Sequence, residues 1–346
     1  MHPDEILIQP DQLRTFISQL FQKTGVPDPD ADAAADVLVA TDLRGIFSHG
    51  TRLAPQYLQH LLDGHMNPRP QPRVERETVA MALIDADRGL GHLAALDGMR
   101  RANEMAKQVG VAMVNVRRSH HLGAASIYAL QAVQQGLIGF VTTNTGGPSV
   151  APYGGRGGTL GNHPLAWAIP SRGPFPIVVD IAVGISAWQR VETMRIYGQK
   201  LPADWCLDKE GNPTGDPAQA WTMFPAGGTR GYGLAIVAGL LSGALSGGEL
   251  PSQRPRYDPT RDSEHSLMAI SINHFVPREQ FLDEVDEAIA ACQRTPPLEG
   301  FDRVRLPGEM EWEKEQKWRA EGIPLHREHL NRLATIAQKI GLARFW

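Results

Sequence analysis

Six short apolar segments, separated by stretches of helical periodicity, constrain the fold of this chain more than any other feature. Each is rich in β-branched residues and short enough to be a buried strand. The segments are residues 79–84, 111–116, 137–143, 165–169, 177–181 and 267–272, and helical patterns occupy 92–108, 124–135, 232–246 and 278–292. Helices between strands predict a layered α/β core. A hairpin-length connection joins the strands at 165–169 and 177–181, so the pattern leaves the strand directions open.

Helical patterns also occupy both ends of the chain. Near the N-terminus, apolar residues recur at the spacing of one helix face at Leu13, Phe16, Ile17, Leu20 and Phe21. A second helix is expected over 36–43, so two helices should precede any strand. At the other end we expect a charged helix from Glu309 and an amphipathic helix over 325–340.

These patterns divide the chain into three parts. A proline-rich stretch at 67–72 ends an N-terminal helical segment, residues 1–72. This segment is predicted to pack with a C-terminal helical segment, residues 277–346. Residues 73–276 form the predicted central α/β domain.

Charge and composition exclude several classes of protein. Lys and Arg number 34 against 38 Asp and Glu, a net charge of −4 without a basic stripe, so we expect no nucleic-acid partner. The most hydrophobic segment, 234–245, is shorter than the roughly 18 apolar residues of a membrane span, so no membrane insertion is expected. Two cysteines without CxxC spacing are typical of a reducing compartment, and the N-terminus has acidic residues where a signal peptide would carry basic ones. We therefore expect the protein in the cytoplasm.

Glycines recur at four-residue spacing within the most hydrophobic segment. Gly239, Gly243 and Gly247 would lie on one face of a helix and let another backbone approach closely. We interpret this as a buried helix that packs against a neighbouring element or against a second subunit.

The familiar nucleotide-binding motifs are missing from the sequence. There is no GxxxxGK[ST], and the glycine-rich run at 154–161 and the step Gly231-Tyr232-Gly233 both miss GxGxxG at the third glycine. A conventional Rossmann site is therefore not expected. The histidines lack the spacing of metal sites, so no metal is expected either.

Two histidine-containing motifs are the best candidates for chemistry. His49 lies in Ser48-His49-Gly50, and His120 and His121 lie together before Leu122-Gly123. Small residues flank each motif, and each lies near the end of a predicted element, where site residues are common. Imidazole titrates near neutrality and suits proton transfer. A structural role in the core is the alternative for each.

Seven motifs occur along the chain in the order found in one protein family. They are 44–50 (RGIFSHG), 119–125 (SHHLGAA), 143–155 (TNTGGPSVAPYGG), 161–166 (GNHPLA), 179–182 (VDIA), 211–217 (GNPTGDP) and 231–234 (GYGL). On these motifs the sequence resembles the malate/L-lactate dehydrogenase family that is unrelated to the Rossmann-type enzymes of those names. The family also includes ureidoglycolate, sulfolactate and diketogulonate oxidoreductases and reductases of cyclic imino acids.

The resemblance implies an α/β fold with a mixed-sheet, non-Rossmann nicotinamide-binding core flanked by N- and C-terminal helices. It also implies a homodimer whose active site lies near the subunit interface. His49 and His121 match the family's active-site histidines, and Ser48 and Arg52 beside the first are candidate substrate-binding residues. The residues that match dinucleotide contacts are Asn144, Thr145, Asp180, Ile181, Ala182, Ser186, Thr229, Arg230, Pro307, Gly308 and Glu309.

Three positions differ from the family pattern. The family usually has arginine four residues after the first histidine, but here that residue is Leu53 and the arginine is Arg52. On a helix a shift of one residue rotates a side chain by about 100°. His163 stands where an asparagine-containing motif is common in the family, and Arg230 stands where a lysine is common. Arg52 remains the candidate for a substrate carboxylate, and a surface ion pair is the alternative, with Arg190 and His163 as the next candidates.

The predicted function is hydride transfer between NAD or NADP and a small carboxylate substrate, a 2-oxo acid or 2-hydroxy acid of the malate or lactate kind. A protonated imidazole near the carbonyl oxygen would stabilise and quench the negative charge that develops there. Reduction of cyclic imino acids is the alternative at the same site. A non-catalytic dinucleotide-binding protein is the alternative of another class.

Overall fold

The computed structural model describes residues 3–196, 198–258 and 260–346, and within these residues the chain forms ten α-helices and twelve strands. The helices are α1 (Pro10–Lys23), α2 (Asp28–Leu43), α3 (Ala54–Leu62), α4 (Gly91–Val109), α5 (Ser126–Gln134), α6 (Trp188–Ile196), α7 (Thr229–Ser242), α8 (Arg278–Arg294), α9 (Glu309–Glu321) and α10 (Arg327–Lys339). The strands are β1 (Glu5–Ile8), β2 (Arg73–Glu77), β3 (Met81–Asp85), β4 (Val111–Ser119), β5 (Leu137–Asn144), β6 (Pro164–Ile169), β7 (Ile177–Ala182), β8 (Cys206–Leu207), β9 (Pro213–Thr214), β10 (Thr222–Met223), β11 (Ser263–Ser271) and β12 (Ile323–His326).

A seven-stranded mixed sheet lies at the centre of the described part of the chain, in the order β2-β3-β4-β11-β5-β6-β7. β3 and β4 run parallel, and the other neighbouring pairs are antiparallel. All six strands and four intervening helices expected from the sequence are present, which confirms the mixed α/β fold. The sequence pattern does not indicate β2, because its residues are mostly charged and all exposed.

One face of the middle of the sheet is apolar, while the other also carries the buried polar side chains of Asn115, Thr142 and Ser266. Val114 of β4 pairs with Leu267 of β11, which pairs with Val141 of β5, and all three side chains are fully buried. Alanine-rich faces of α4 and α5 cover one side of the sheet. α7 covers the other side with Ala235 and Ala238. Small residues let these helices lie close to the strands, so the sheet is a rigid base for what lies at its edges.

The two ends of the chain share a second hydrophobic core. It unites residues of α1, α2 and α3 with residues of β12 and α10. The expectation that two helices precede any strand is wrong, because Glu5–Ile8 forms β1 and pairs with Ile323–His326. For the same reason the last helix begins at Arg327 rather than Leu325. Such a pairing joins opposite ends of the chain, so no local pattern indicates it. The division at residues 72 and 277 stays a prediction.

The glycine stripe does not lie on one helix face as expected. α7 ends at Ser242, and Gly247 lies beyond it with a left-handed backbone. A Cβ at Gly239 would lie 3.0 Å from Nε2 of His163, and one at Gly243 would lie 2.7 Å from Nδ2 of Asn144. These two glycines therefore pack against the chain's own sheet.

The opposite face of α7 is apolar and exposed. Its exposed side chains are Leu234, Ile236, Val237 and Leu240, with Leu245 just beyond the helix end. An apolar surface of this kind on one helix is typical of a protein contact. In a separate finding, no helix of the described residues is both long and apolar enough to cross a membrane.

Five histidines are buried so that their imidazole rings stay neutral. Burial lowers the pKa to about 4 for His92, His120 and His163, and to about 3 for His265 and His329. In the unfolded chain these rings titrate near pH 6.5. These rings make the unfolded state bind more protons than the folded state at mildly acidic pH. Burial raises the pKa of Asp42 and of Glu264 to about 7, which offsets part of this difference, and the net effect of the five rings is that stability falls as the pH is lowered through that window.

We expect the free energy of unfolding to fall steeply from about pH 6.5 to about pH 4.5, with each buried histidine contributing up to about 1.4 kcal/mol per pH unit. His329→Gln, which removes one of these rings, should lower that slope by about one proton. Urea unfolding at a series of pH values measures both slopes. A slope that is the same in the variant and the wild type would contradict the assignment.

Candidate active site

A deep cleft of about 1190 Å³ opens at one edge of the central sheet. The ends of β4, β5 and β7 and the starts of β6 and β11 meet at this edge, because these strands alternate in direction. The opposite wall comes from the N-terminal helical layer, through residues between Arg44 and Met66. The cleft thus lies between the core that the two chain ends share and the core of the central sheet.

His49 is fixed by the turn that follows α2. The Asp42 carboxylate accepts hydrogen bonds from the backbone N–H and the hydroxyl of Thr51. A Cβ at Gly50 would lie 2.0 Å from Oδ1 of Asp42, so only glycine permits this approach. Burial raises the pKa of Asp42 to about 7, and the two bonds from Thr51 oppose that rise. Gly50 of the Ser48-His49-Gly50 motif therefore permits the turn that positions His49.

His121 follows the end of β4 and is held from the other side. The backbone of Gly91, at the start of α4, packs against the carbonyl groups of His120 and His121. A Cβ at Gly91 would lie 1.9 Å from the carbonyl oxygen of His120, which excludes any side chain there. The segment that carries His121 therefore lies between α4 and the cleft.

The structure brings the two predicted histidines together. The rings of His49 and His121 stack with centroids 5.6 Å apart and an angle of 28° between their planes. Nδ1 of His49 lies 2.8 Å from the Ser48 hydroxyl. Ser48, His49 and His121 all line the cleft.

Tyr57 of α3 sets the hydrogen bonding of His121. Its hydroxyl lies 2.6 Å from Nδ1 of His121, and the backbone N–H of Gly123 donates to the same nitrogen. Because Nδ1 accepts these bonds, the neutral ring carries its proton on Nε2. Nε2 is then the atom left for a substrate. The sequence alone does not indicate Tyr57, because no local motif marks it.

Both rings favour the neutral form. Burial lowers the pKa of His121 well below its usual value, and the neighbouring His49, His92 and His265 lower it further. Burial also lowers the pKa of His49, while the nearby Asp180 raises it. Asp180 therefore supports a positive charge on His49 more than on its partner.

Asp180, at the end of β7, borders the same cleft. Its Oδ2 accepts a hydrogen bond of 2.9 Å from the backbone N–H of Ser126 at the start of α5. Partial removal from water raises the pKa of this carboxyl, and Ser126, His49 and Arg44 oppose the rise. The carboxylate is thus held in place beside the histidine pair.

The residues that match dinucleotide contacts fall into three groups. Those that line the cleft are Thr145, Asp180, Ile181, Ala182, Pro307 and Gly308. Buried just behind them are Asn144, Ser186 and Glu309. Thr229 and Arg230 are exposed at the start of α7, away from the cleft lining. The structure therefore brings most of this set to one cavity and leaves the α7 pair apart.

Arg52 does not point into the cleft of this chain. Nη1 of Arg52 donates to the Thr193 hydroxyl of α6 at 3.1 Å, and Leu53 takes the place on the cleft wall. Because the arginine stands one position earlier than in the family pattern, Leu53 faces the cleft and Arg52 faces away from it. Among the described residues, arginines that line the cleft include Arg254 and Arg256, which the sequence analysis did not single out because they lie in an irregular loop.

The cleft fits a large polar ligand. Several of its lining residues have buried polar atoms without a partner among the described residues: Ser126 Oγ, Trp188 Nε1, His120 Nε2 and the Nε and Nη1 atoms of Arg254. Such groups are stabilised by acceptors and donors that a ligand supplies. In the same described residues, no group of three or more side chains is arranged to bind a metal ion.

Comparison with known proteins identifies the family. The family model described as malate/L-lactate dehydrogenase matches residues 8–334. The chain belongs to this family. This confirms the resemblance found in the sequence and the prediction of an oxidoreductase of the hydroxy-acid dehydrogenase type.

Relatives and solved structures of the family match the chain over nearly its full length. It is 35% identical to malate dehydrogenase of Pyrococcus horikoshii, over 97% of this chain and 96% of the relative. It is 33% identical to ureidoglycolate dehydrogenase (NAD(+)) of Escherichia coli, over 92% of both. The structure of malate dehydrogenase from Entamoeba histolytica has a TM-score of 0.93 at 30% identity and covers 99% of this chain and 100% of its own.

Replacing either histidine should impair turnover far more than cofactor binding. We expect His49→Ala or His121→Ala to lower kcat by roughly 10²–10⁴-fold, the range for loss of general acid–base catalysis. Tyr57→Phe should have a smaller effect, because it removes only the hydroxyl that orients His121. Steady-state kinetics with fluorescence titration of the dinucleotide measures both quantities. Near-full turnover in both alanine variants would refute these roles.

Proposed function

We propose that this dehydrogenase transfers a hydride between a nicotinamide dinucleotide and a small 2-oxo acid or 2-hydroxy acid. The observation that carries the proposal is the stacked pair of His49 and His121 in the cleft. The dinucleotide supplies the hydride when bound. Cleft-lining residues that would hold it are Thr145, Asp180, Ile181, Ala182, Pro307 and Gly308, and the buried Asn144, Ser186 and Glu309 would support them.

The proposed proton chemistry belongs to the histidine pair. Nε2 of the neutral His121 donates a hydrogen bond to the substrate oxygen, where negative charge develops during reduction. The imidazolium form of His49, which Asp180 stabilises, gives this oxygen its proton and regains one from water in the cleft. Ser48 holds the His49 ring through the contact at Nδ1. In the oxidative direction the same groups act in reverse.

A panel of substrates tests this function. The purified enzyme with NADH and NADPH should oxidise the cofactor, followed at 340 nm, with at least one of oxaloacetate, pyruvate or another small 2-oxo acid. The ratio of kcat/KM for the two cofactors settles which form is used. Tight dinucleotide binding without turnover of any compound would instead favour the non-catalytic alternative.

A second candidate substrate class is the cyclic imino acids. Its support is the structural likeness to Δ1-piperideine-2-carboxylate reductase of Pseudomonas syringae, with a TM-score of 0.82 at 26% identity, covering 96% of this chain. An imine also takes up a hydride and a proton, so the same histidines suffice. Turnover of piperideine-2-carboxylate in preference to every 2-oxo acid would select this alternative.

We further propose a homodimer formed through the exposed apolar face of α7. Leu234, Val237 and Leu240 on this face are between 41% and 51% exposed in the single chain. Burial of such a surface stabilises association by about 25 cal/mol per Å². The face follows Thr229 and Arg230, so a partner there would lie near the residues that match dinucleotide contacts but stand outside this chain's cleft.

Introducing a charge on this face should separate the subunits. We expect Val237→Asp to give a folded monomer with reduced activity, because an unpaired carboxylate cannot be buried in an apolar contact. Leu298→Asp, at a side chain 77% exposed elsewhere, is the matched control and should stay dimeric. Sedimentation velocity measures both. A wild type that sediments as a fully active monomer would refute the dimer.

A further inference from the structure

Arg254 is a buried cation in the cleft wall with unused hydrogen-bond donors. Its side chain is only 3% exposed, and Nη2 donates to both carboxylate oxygens of Glu264 at 2.9 and 2.8 Å. Nε and Nη1 are buried without a partner among the described residues. Buried donors of a charged group cost free energy when unpaired. This guanidinium is therefore prepared for an acceptor that enters from the cleft.

The ion pair that holds Arg254 is itself fixed. Asn144 at the end of β5 donates from Nδ2 to Glu264 and to the carbonyl of Glu249. The backbone of Gly248 packs against the Glu264 carboxylate, since a Cβ there would lie 2.2 Å from its Cδ. Arg254 consequently has little freedom to turn away. The family-matched Asn144 thus acts through Glu264 in this structure.

The pair lies beside the strand end that delivers His121. Ser263, the residue before Glu264, pairs with Ser119 at the end of β4, and neighbouring strands are about 4.8 Å apart. Next along the loop, the guanidinium of Arg256 stacks on Trp188 and Trp221, at 4.8 and 4.3 Å from the ring centroids. These contacts fix the loop on the cleft wall.

We propose that Arg254 binds the carboxylate of the substrate through its Nη1 and Nε donors, in the role that the sequence suggested for Arg52. The inference rests on the proposed function, because the anion it names is that of a 2-oxo acid. A planar guanidinium is suited to a carboxylate. Arg52, bonded to Thr193, is then a link between the N-terminal layer and α6.

Oxamate, a carboxylate that resembles a 2-oxo acid and is not reduced, is the probe. Calorimetry measures its Kd for the enzyme with bound NADH or NADPH, and kinetics measures KM for pyruvate and oxaloacetate. Arg254→Lys keeps a charge beside Glu264 but loses the fixed donors. We expect it to raise the Kd of oxamate and the KM of both substrates about 30- to 100-fold, as for loss of a buried charged hydrogen bond.

Two further variants control for structure. Arg117→Lys, in an ion pair with Glu75 away from the cleft lining, should change the Kd of oxamate less than twofold. The double variant Arg254→Gln/Glu264→Gln removes both buried charges together, so it keeps the test open if Arg254→Lys does not fold. It should weaken oxamate binding as strongly as Arg254→Lys. The single variant Arg254→Lys, which keeps Glu264 for Asn144, should leave the dinucleotide Kd within about threefold.

Each remaining outcome decides one of the two proposals. Unchanged oxamate binding in the Arg254 variants, or no oxamate binding by the wild type, overturns the role of Arg254. Weakened dinucleotide binding with unchanged oxamate binding assigns the donors to a cofactor phosphate and also overturns it. Arg254-dependent oxamate binding without turnover of any 2-oxo acid supports the carboxylate site and rejects the proposed hydride transfer.

Discussion

The candidate active-site cleft depends on the docking of the N-terminal helical layer onto the edge of the central sheet. Within that layer, Asp42 holds the turn after α2, because it accepts two hydrogen bonds from Thr51 and lies against the backbone of Gly50. This turn carries His49, while the segment that follows β4 carries His121. Neither half contains a complete site, so the packing of the two cores creates it.

Burial controls the protonation of the site as well as its geometry. Burial lowers the pKa of both histidines in the cleft, so their surroundings disfavour a positive charge. Only for His49 does a neighbouring carboxylate, that of Asp180, oppose this effect. A neutral His121 with its proton on Nε2 can donate a hydrogen bond to a substrate oxygen without a permanent charge in the cleft. The same burial makes the folded state sensitive to acid, so function and stability share one physical cause.

The arginines show how a small change in sequence can move a function within a fixed fold. Where family members usually have arginine, Leu53 lines the cleft, and the adjacent Arg52 bonds to Thr193. Arg254, a buried arginine on the far side of the cleft, has hydrogen-bond donors without a partner among the described residues. The group that binds the substrate carboxylate is thus proposed to come from the sheet side of the cleft instead of the helical side.

The sequence by itself determined the central elements, because the periodicity of apolar residues in 111–116, 137–143 and 92–108 reflects burial of those same residues. It also indicated the histidine motifs, since Gly50 is required by the close approach of the Asp42 side chain and Gly123 has a left-handed backbone. It did not reveal β1, whose partner β12 lies at the other end of the chain. Pairings of this kind depend on tertiary contacts that leave no local pattern.

Tertiary structure alone decided which polar side chains meet. Tyr57 reaches His121 from a helix 64 positions away in sequence, and Arg254 gains its place through Glu264 and Asn144. Hydrogen bonds between distant residues depend on distance and direction in space, and single residues of this kind carry no periodicity. The sequence could therefore indicate the family and the candidate histidines, while the orientation of Arg52, the inward packing of Gly239 and the buried position of Arg254 followed only from how the elements pack.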